Sequence, residues 1–268
     1  MKSNSMSLSI IGGGVMAEAI LSRLLAQQVF AANTVLVSEP RAERRNFLAQ
    51  QYQVQVTADN QAAVSVAEIL LLAIKPQVFD LVVSSITPNT DSSVISILAG
   101  VTLNKLERAF PQQPVIRVMP NTPATVGAGM SAIAAGTNAT EEHIERAKKI
   151  FTAVGEVVEV TESSIDAVTG LSGSGPAFVA LAIEAMADGG VASGLSRAIA
   201  LQLATQTVLG TATLIKETQM HPGVLKDRVT SPGGTTIAGV AKLESMGFRS
   251  ALIEAVKTAT KRSQELGK

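Results

Sequence analysis

The stretch Leu8-Ser9-Ile10-Ile11-Gly12-Gly13-Gly14-Val15-Met16-Ala17 decides how this chain folds. A short apolar run ends in three glycines, after which Met16, Ala19, Ile20, Leu24 and Leu25 recur at helical spacing. The reading is strand, tight turn, helix. Gly12 suits the tight turn, Gly14 lets the backbone approach a pyrophosphate, and Ala17 is small where helix packs on strand. The free N–H groups and positive dipole end of such a helix favour a bound phosphate. Glycines also make ordinary turns, so the surroundings must discriminate.

Working outward, strands and helices alternate. Thr34 to Val37, Ile69 to Ile74, Val94 to Leu98, Val115 to Met119, Met130 to Ala134 and Val157 to Val160 read as strands. Helical spacing marks Ala42 to Gln51, Val78 to Ile86 and Glu141 to Phe151. Uninterrupted apolar strands such as Ile69 to Ile74 belong in a parallel sheet covered on both faces. The pattern predicts an α/β, Rossmann-like, doubly wound and mostly parallel sheet, with its ligand crevice at the carboxyl ends of the strands.

Near Glu162 the character changes. Pro176 to Asp188, Ser196 to Lys216, Thr236 to Met246 and Arg249 to Leu266 read as helices. Gly189-Gly190, His221-Pro222-Gly223 and Pro232-Gly233-Gly234 are expected to separate them. The expected organisation is a dinucleotide-binding domain over 1–162 and an all-α domain over 163–268.

Of the 268 residues, 46% are hydrophobic but only 3% aromatic, so small aliphatic side chains must fill the core. Lys plus Arg and Asp plus Glu balance at 22 each, which does not suggest a broad basic surface for nucleic acid. There is no Cys, which excludes disulfides, thiolate metal sites and a Cys nucleophile. The start, Met1 to Ser7, is polar, unlike a secretory signal. No apolar run reaches the ~20 residues of a membrane helix; the best candidate, Ala177 to Ala187, is interrupted by Glu184. A soluble, cytoplasmic protein without membrane or nucleic-acid partners is expected.

The end of the second strand bears on the type of dinucleotide. Glu39 would suit a ribose hydroxyl, whereas Ser38 with Arg41 or Arg44 would suit a 2′-phosphate. NADPH is the expected cofactor, with NADH open. Lys75 in Ala73-Ile74-Lys75-Pro76 would bound the cofactor pocket or be a plain loop lysine. Asn121, in Met119-Pro120-Asn121-Thr122-Pro123, would bind the nicotinamide carboxamide or satisfy a turn. His143 and His221 read as structural. In the helical half, Gly170-Leu171-Ser172-Gly173-Ser174-Gly175-Pro176 reads as a packing elbow. In Thr230-Ser231-Pro232-Gly233-Gly234-Thr235-Thr236, the amides of Gly234, Thr235 and Thr236 would grip a carboxylate, or a hydroxyl would simply cap the helix.

Together the glycine turn, Ala73-Ile74-Lys75-Pro76, the run from Asp166 to Pro176, His221-Pro222-Gly223, Ser231 to Thr236 and Gly247-Phe248-Arg249 resemble the pyrroline-5-carboxylate reductase family. The resemblance runs from about Leu8 to Leu266 in order. It departs at Glu39, where a small or hydroxyl residue would sit better beside an NADP phosphate. It implies an oxidoreductase that reduces 1-pyrroline-5-carboxylate to L-proline with NAD(P)H, in proline biosynthesis. It implies a C-terminal dimerisation domain whose helices interlock in a homodimer, with dimers assembling into larger rings such as a decamer. The substrate would lie between one subunit's nicotinamide and the helical domain, held by Ser231, Gly233, Gly234, Thr235 and Thr236. Ile11, Gly12, Gly13, Gly14, Val15, Met16, Ser38, Arg41, Asn60, Ala73, Ile74, Lys75, Pro76, Ile97, Leu98, Ala99 and Asn121 would line the cofactor. Thr236 would act at the imine nitrogen, and no metal is implied. Two alternatives stay open: a β-hydroxyacid dehydrogenase, with Lys216 or Lys226 as its lysine, and a non-catalytic NAD(P)-binding protein.

Overall fold

The computed structural model describes residues 8–267. The polar start, Met1 to Ser7, lies outside the described residues. Eight strands form one sheet: β1 (Leu8–Ile11), β2 (Val35–Ser38), β3 (Gln55–Thr57), β4 (Ile69–Leu72), β5 (Ser93–Ser96), β6 (Val115–Met119), β7 (Gly129–Ala135) and β8 (Gly155–Glu159). Their spatial order is β3-β2-β1-β4-β5-β6-β7-β8, and every pair is parallel except β6 with β7. The expected mostly parallel, doubly wound sheet is what the chain forms.

Period-two alternation decides which face each side chain covers. Within β4, Ile69 and Leu71 enter one apolar cluster, while Leu70 and Leu72 enter the other. The first cluster also takes Ile20, Leu21 and Leu24 of α1 (Val15–Ala26), Leu48 of α2 (Ala42–Tyr52) and Ile150 of α6 (Glu141–Thr152). The second takes Val64 of α3 (Asn60–Ser65), Phe79 of α4 (Phe79–Val83), Leu106 of α5 (Leu103–Ala109) and Ile165 of α7 (Ile165–Val168). Helices thus cover both faces.

The short elements β3, α3 and α5 escape apolar periodicity. β3 is a half-exposed edge strand. The two helices are brief and announced mainly by their caps. Asp59 accepts the amides of Gln61 and Ala62, and the Thr102 hydroxyl accepts that of Lys105.

By packing, the chain divides into two compact units. One runs up to Ser174 and resumes at Thr258; the other is Gly175–Lys257. The strands end near the expected division at 162, but the first unit extends further for definite reasons. Glu162 pairs with buried Arg117 at 2.7 Å and accepts the Leu103 amide at 2.9 Å. Asn121 donates to the carbonyl and hydroxyl of Ser172, both at 3.2 Å. Ser263 donates to Asp166 at 2.6 Å, which ties the end of the last helix to this unit.

The second unit contains α8 (Gly175–Ala192), α9 (Arg197–Thr218), α10 (Pro222–Arg228), α11 (Thr235–Ser245) and the start of α12 (Phe248–Leu266). One expected break falls elsewhere. Gly189 and Gly190 lie inside α8, and the chain turns at Ser193-Gly194 instead. A Cβ at Gly190 would stand 3.0 Å from the Ala200 Cβ and 3.4 Å from Leu195 Cδ1, so this glycine serves the close crossing of α8 and α9. The break expected at His221 is present: α9 ends at Thr218, and His221 caps α10, with Pro222 in its first turn.

The buried apolar residues of this unit are Ala187, Ala200 and Ala204. Large side chains such as Leu181, Leu209, Val229 and Met246 remain exposed. Because α8 continues through its glycines, the helical stretch Glu162–Ala192 and the helix Arg197–Thr218 are long and apolar enough, by length and composition, to cross a membrane. The crossing gives a prediction: Gly190→Leu should overpack the α8–α9 seam and cost about 1–3 kcal/mol, read as a lowered unfolding midpoint in denaturant.

Candidate functional site

Register sets one candidate site. Ile11 pairs with Ser38 and Leu72, Leu72 with Ser96, and Ser38 with Thr57. These strands end level, so the loops starting at Gly12, Glu39, Ala73 and Ile97 leave from one edge. Chain order reverses between β1 and β4, and at such a switch point an open parallel sheet binds its ligand. The expected residues Gly12 to Met16, Ser38, Arg41, Ala73 to Pro76 and Ile97 to Ala99 lie at these strand ends, in the segments that follow them or in the first turn of α1.

The first glycine is dictated by contact. Gly12 has φ +98°, and a Cβ there would lie 2.6 Å from the Ala73 carbonyl oxygen. Only a glycine allows the turn and the β4 loop to lie this close. Gly14 is the N-cap of α1 and supplies no side-chain cap, and a Cβ there would meet nothing within 4 Å. The uncapped first turn of α1 therefore opens onto free space, which is what a pyrophosphate requires. The Ile11 and Leu98 side chains are buried in the core, so these residues offer a cofactor only their backbone. Ser38 donates to Asn60 Oδ1 at 2.7 Å, so the Asn60 amide nitrogen takes no part in this bond.

Gly13 is held from both ends of its peptide. Its N–H donates to Glu39 Oε2 at 3.0 Å, and its carbonyl accepts Arg44 Nε at 2.6 Å. Arg44 also pairs with Glu18, which accepts the Tyr52 hydroxyl at 2.7 Å. Burial works against the Glu18 carboxylate, but Arg44 and Tyr52 outweigh it and hold its pKa below the ordinary 4.5. Glu39 behaves alike: burial opposes its charge, and hydrogen bonds from Arg41 and Gly13 prevail. Tyr52 is pushed up to about 12 by burial and by its bond to Glu18. Arg44 is thus engaged in bracing the turn.

A second candidate site lies within the helical unit. Gly233 has φ +66°, and Gly234 is the N-cap of α11, again with no side-chain cap. The Gly234 amide donates to the Ser231 carbonyl at 3.1 Å. It is therefore engaged in the turn, and of the three amides expected to grip a carboxylate this one is already bonded within the protein. Gly234 matters for a different reason: a Cβ there would strike the Ser231 hydroxyl oxygen at 2.2 Å.

Known proteins with these features can now be compared. A family model described as pyrroline-5-carboxylate reductase dimerisation matches residues 162–266, and one described as NADP oxidoreductase, coenzyme F420-dependent, matches residues 7–100. The chain is 62% identical to a pyrroline-5-carboxylate reductase of Synechocystis over 98% of its length and 99% of the relative's. With the Arabidopsis thaliana reductase it shares 46% over 98% and 96%. The chain belongs to the pyrroline-5-carboxylate reductase family. A Coxiella burnetii pyrroline-5-carboxylate reductase structure superposes with TM-score 0.91, at 34% identity over 99% and 100% of the two chains. A Plasmodium falciparum pyrroline carboxylate reductase with NADP bound gives 0.89, at 29% identity over 98% of each.

As a pyrroline-5-carboxylate reductase family member the chain is a nicotinamide-dependent oxidoreductase, and the hydroxyacid dehydrogenase and non-catalytic alternatives fall away. Its histidines are structural. His143 completes a capping box with Thr140 at the start of α6, and His221 Nδ1 accepts the Gly223 amide at 3.1 Å. Asn121 accepts the Met130 amide at 2.8 Å through Oδ1, while its Nδ2 donates to Ser172. Its side-chain amide pins the loop after β6. The run Thr169–Gly173 forms a π-helical turn, an elbow of the kind its small residues predict.

A pH prediction follows for this braced turn. The Glu18 and Glu39 pairs contribute full stability above 4.5 and lose it as pH falls through their lower folded values. The Tyr52 contribution is complete below 10.0 and lost as pH approaches 12. Urea unfolding followed by circular dichroism should show both limbs. Glu18→Gln should flatten the acid limb, and Tyr52→Phe the alkaline one.

Proposed function

We infer that this chain reduces 1-pyrroline-5-carboxylate to L-proline, with NADPH as the preferred hydride donor over NADH. The observation that carries the reading is the uncapped, two-glycine start of α11, in a chain that also has an open phosphate turn at α1. When bound, the nicotinamide supplies hydride to the imine carbon. The amides at the start of α1 would hold the pyrophosphate. Ser38, Asn60 and Arg41 would take the adenosine end, and Ala73 to Pro76 and Ile97 to Ala99 would line the cofactor.

A protonated cyclic imine is already a strong electrophile, so the protein need not activate it with a metal or a perturbed base. Its task is positioning, which can account for roughly 7–11 kcal/mol of barrier in well-aligned reactions. The Thr235 and Thr236 amides, at the positive end of α11, hold the substrate carboxylate. Ser231 and Gly233 shape the turn around it. The Thr236 hydroxyl donates a hydrogen bond to the imine nitrogen or passes a proton to it.

The assembly is a homodimer built through the helical half, with a decamer of five such dimers as the larger form. The exposed aliphatic residues on α8 and α9 favour protein over bilayer as their cover, because polar Gln202, Gln206 and Arg197 interleave with them along α9. The cytoplasm is the proposed compartment.

NADPH oxidation, followed by absorbance, should require pyrroline-5-carboxylate, and NADP+ should not be reduced by 3-hydroxyacids in the reverse assay. Lack of turnover with the imine would end this reading. Thr236→Ala should lower kcat/KM tenfold to a thousandfold (~1.4–4 kcal/mol of transition-state stabilisation) with cofactor binding little changed. Unaltered turnover would remove Thr236 from the mechanism.

A further inference from the structure

An acid at the end of β2 usually offers its carboxylate to the ribose hydroxyls of NAD and repels a 2′-phosphate. Glu39 stands there, and on charge alone it points to NADH. Its geometry points elsewhere. The residue is 5% exposed, and both oxygens are engaged within the protein. Oε2 accepts the Gly13 amide at 3.0 Å, while Oε1 accepts the Arg41 amide at 3.2 Å and Arg41 Nε at 2.9 Å. Arg45 braces the same loop, donating to the carbonyls of Glu39 at 2.8 Å and Pro40 at 2.7 Å.

Arg41 is the outward member of the pair. Its side chain is 70% exposed, and the ion pair uses the Nε edge of a guanidinium whose donors form a fork. Arg44, the other expected cation, is taken by Gly13 and Glu18. Ser38 and Asn60 lie at the same strand end.

We propose that Glu39 is a positioning residue for NADPH: it fixes the Arg41 guanidinium beside the glycine turn as the cation for a 2′-phosphate, and keeps its own charge occupied inside the protein. The proposal rests on the NADPH preference inferred above. Its consequence runs against the usual rule for an acid at this place. Removing the negative charge should weaken the 2′-phosphate, because the arginine loses its anchor.

The test compares 2′,5′-ADP with 5′-AMP, which differ only in the 2′-phosphate, by calorimetry on the full chain without cofactor. It is run on wild type, Glu39→Gln, Arg41→Ala and the double variant. Kinetic kcat/KM for NADPH and NADH is measured alongside. Glu39→Gln keeps a carbonyl for the Gly13 amide and should fold. We expect it to weaken 2′,5′-ADP about tenfold, the scale of one charge-assisted hydrogen bond, with 5′-AMP changed less than about twofold. Arg41→Ala should do the same, and the double variant should be no worse than Arg41→Ala alone, since both act through one contact.

Tighter or unchanged 2′,5′-ADP binding by Glu39→Gln would overturn the proposal. So would equal weakening of both ligands, which would mark Glu39 as a brace for the turn alone. A wild type that prefers NADH and binds the two nucleotides equally would instead refute the NADPH reading itself.

Discussion

The structure depends on one close approach: Gly12 against the Ala73 carbonyl, where the first strand's turn meets the loop leaving β4. Any side chain there would drive the two loops apart. That contact lies where chain order reverses, so the same glycine that lets β1 and β4 lie side by side also sets the depth of the cofactor crevice. Behind it, charged groups take over. Glu39 and Arg44 hold the two ends of the Gly13 peptide, and Glu18 and Tyr52 hold Arg44. The phosphate turn is shaped by sterics in front and by ion pairs behind, which keeps its amides aimed before any ligand arrives.

Much of this was legible in the residues alone. Buried strands such as β4 and β6 announce themselves as apolar runs, and the amphipathic α6 by its period. The glycine turn and the Ser231 to Thr236 segment carry chemistry in residue type, so the family could be named from them. What stayed hidden has physical causes. β3 is too short and too exposed for a periodic signal, and α3 and α5 lie in their capping residues more than in their apolar faces. Gly189-Gly190 resembled a break because backbone freedom and close helix crossing call for the same residue. Only the position of Ala200 reveals which applies.

The site followed the same division. Residue type singled out Gly12, Gly14 and Ser38, which share one sheet edge, yet gave no means of telling which polar groups were already engaged. Asn121 and the Gly234 amide proved to be bonded within the protein. Glu39, which looked like a departure from an NADP pattern, is paired with Arg41: the carboxylate is filled from inside, and the guanidinium faces out. A formal charge in a sequence says little about the field a ligand meets until its partner is known.

The helical unit carries one more consequence. A bundle whose fully buried apolar residues are three alanines gains little from folding by itself, and its exposed aliphatic side chains would find shelter against a second subunit. For such an assembly, folding and association are a single equilibrium. Dilution then acts as a denaturant, and how well this half of the molecule survives heating depends on how many copies share the solution.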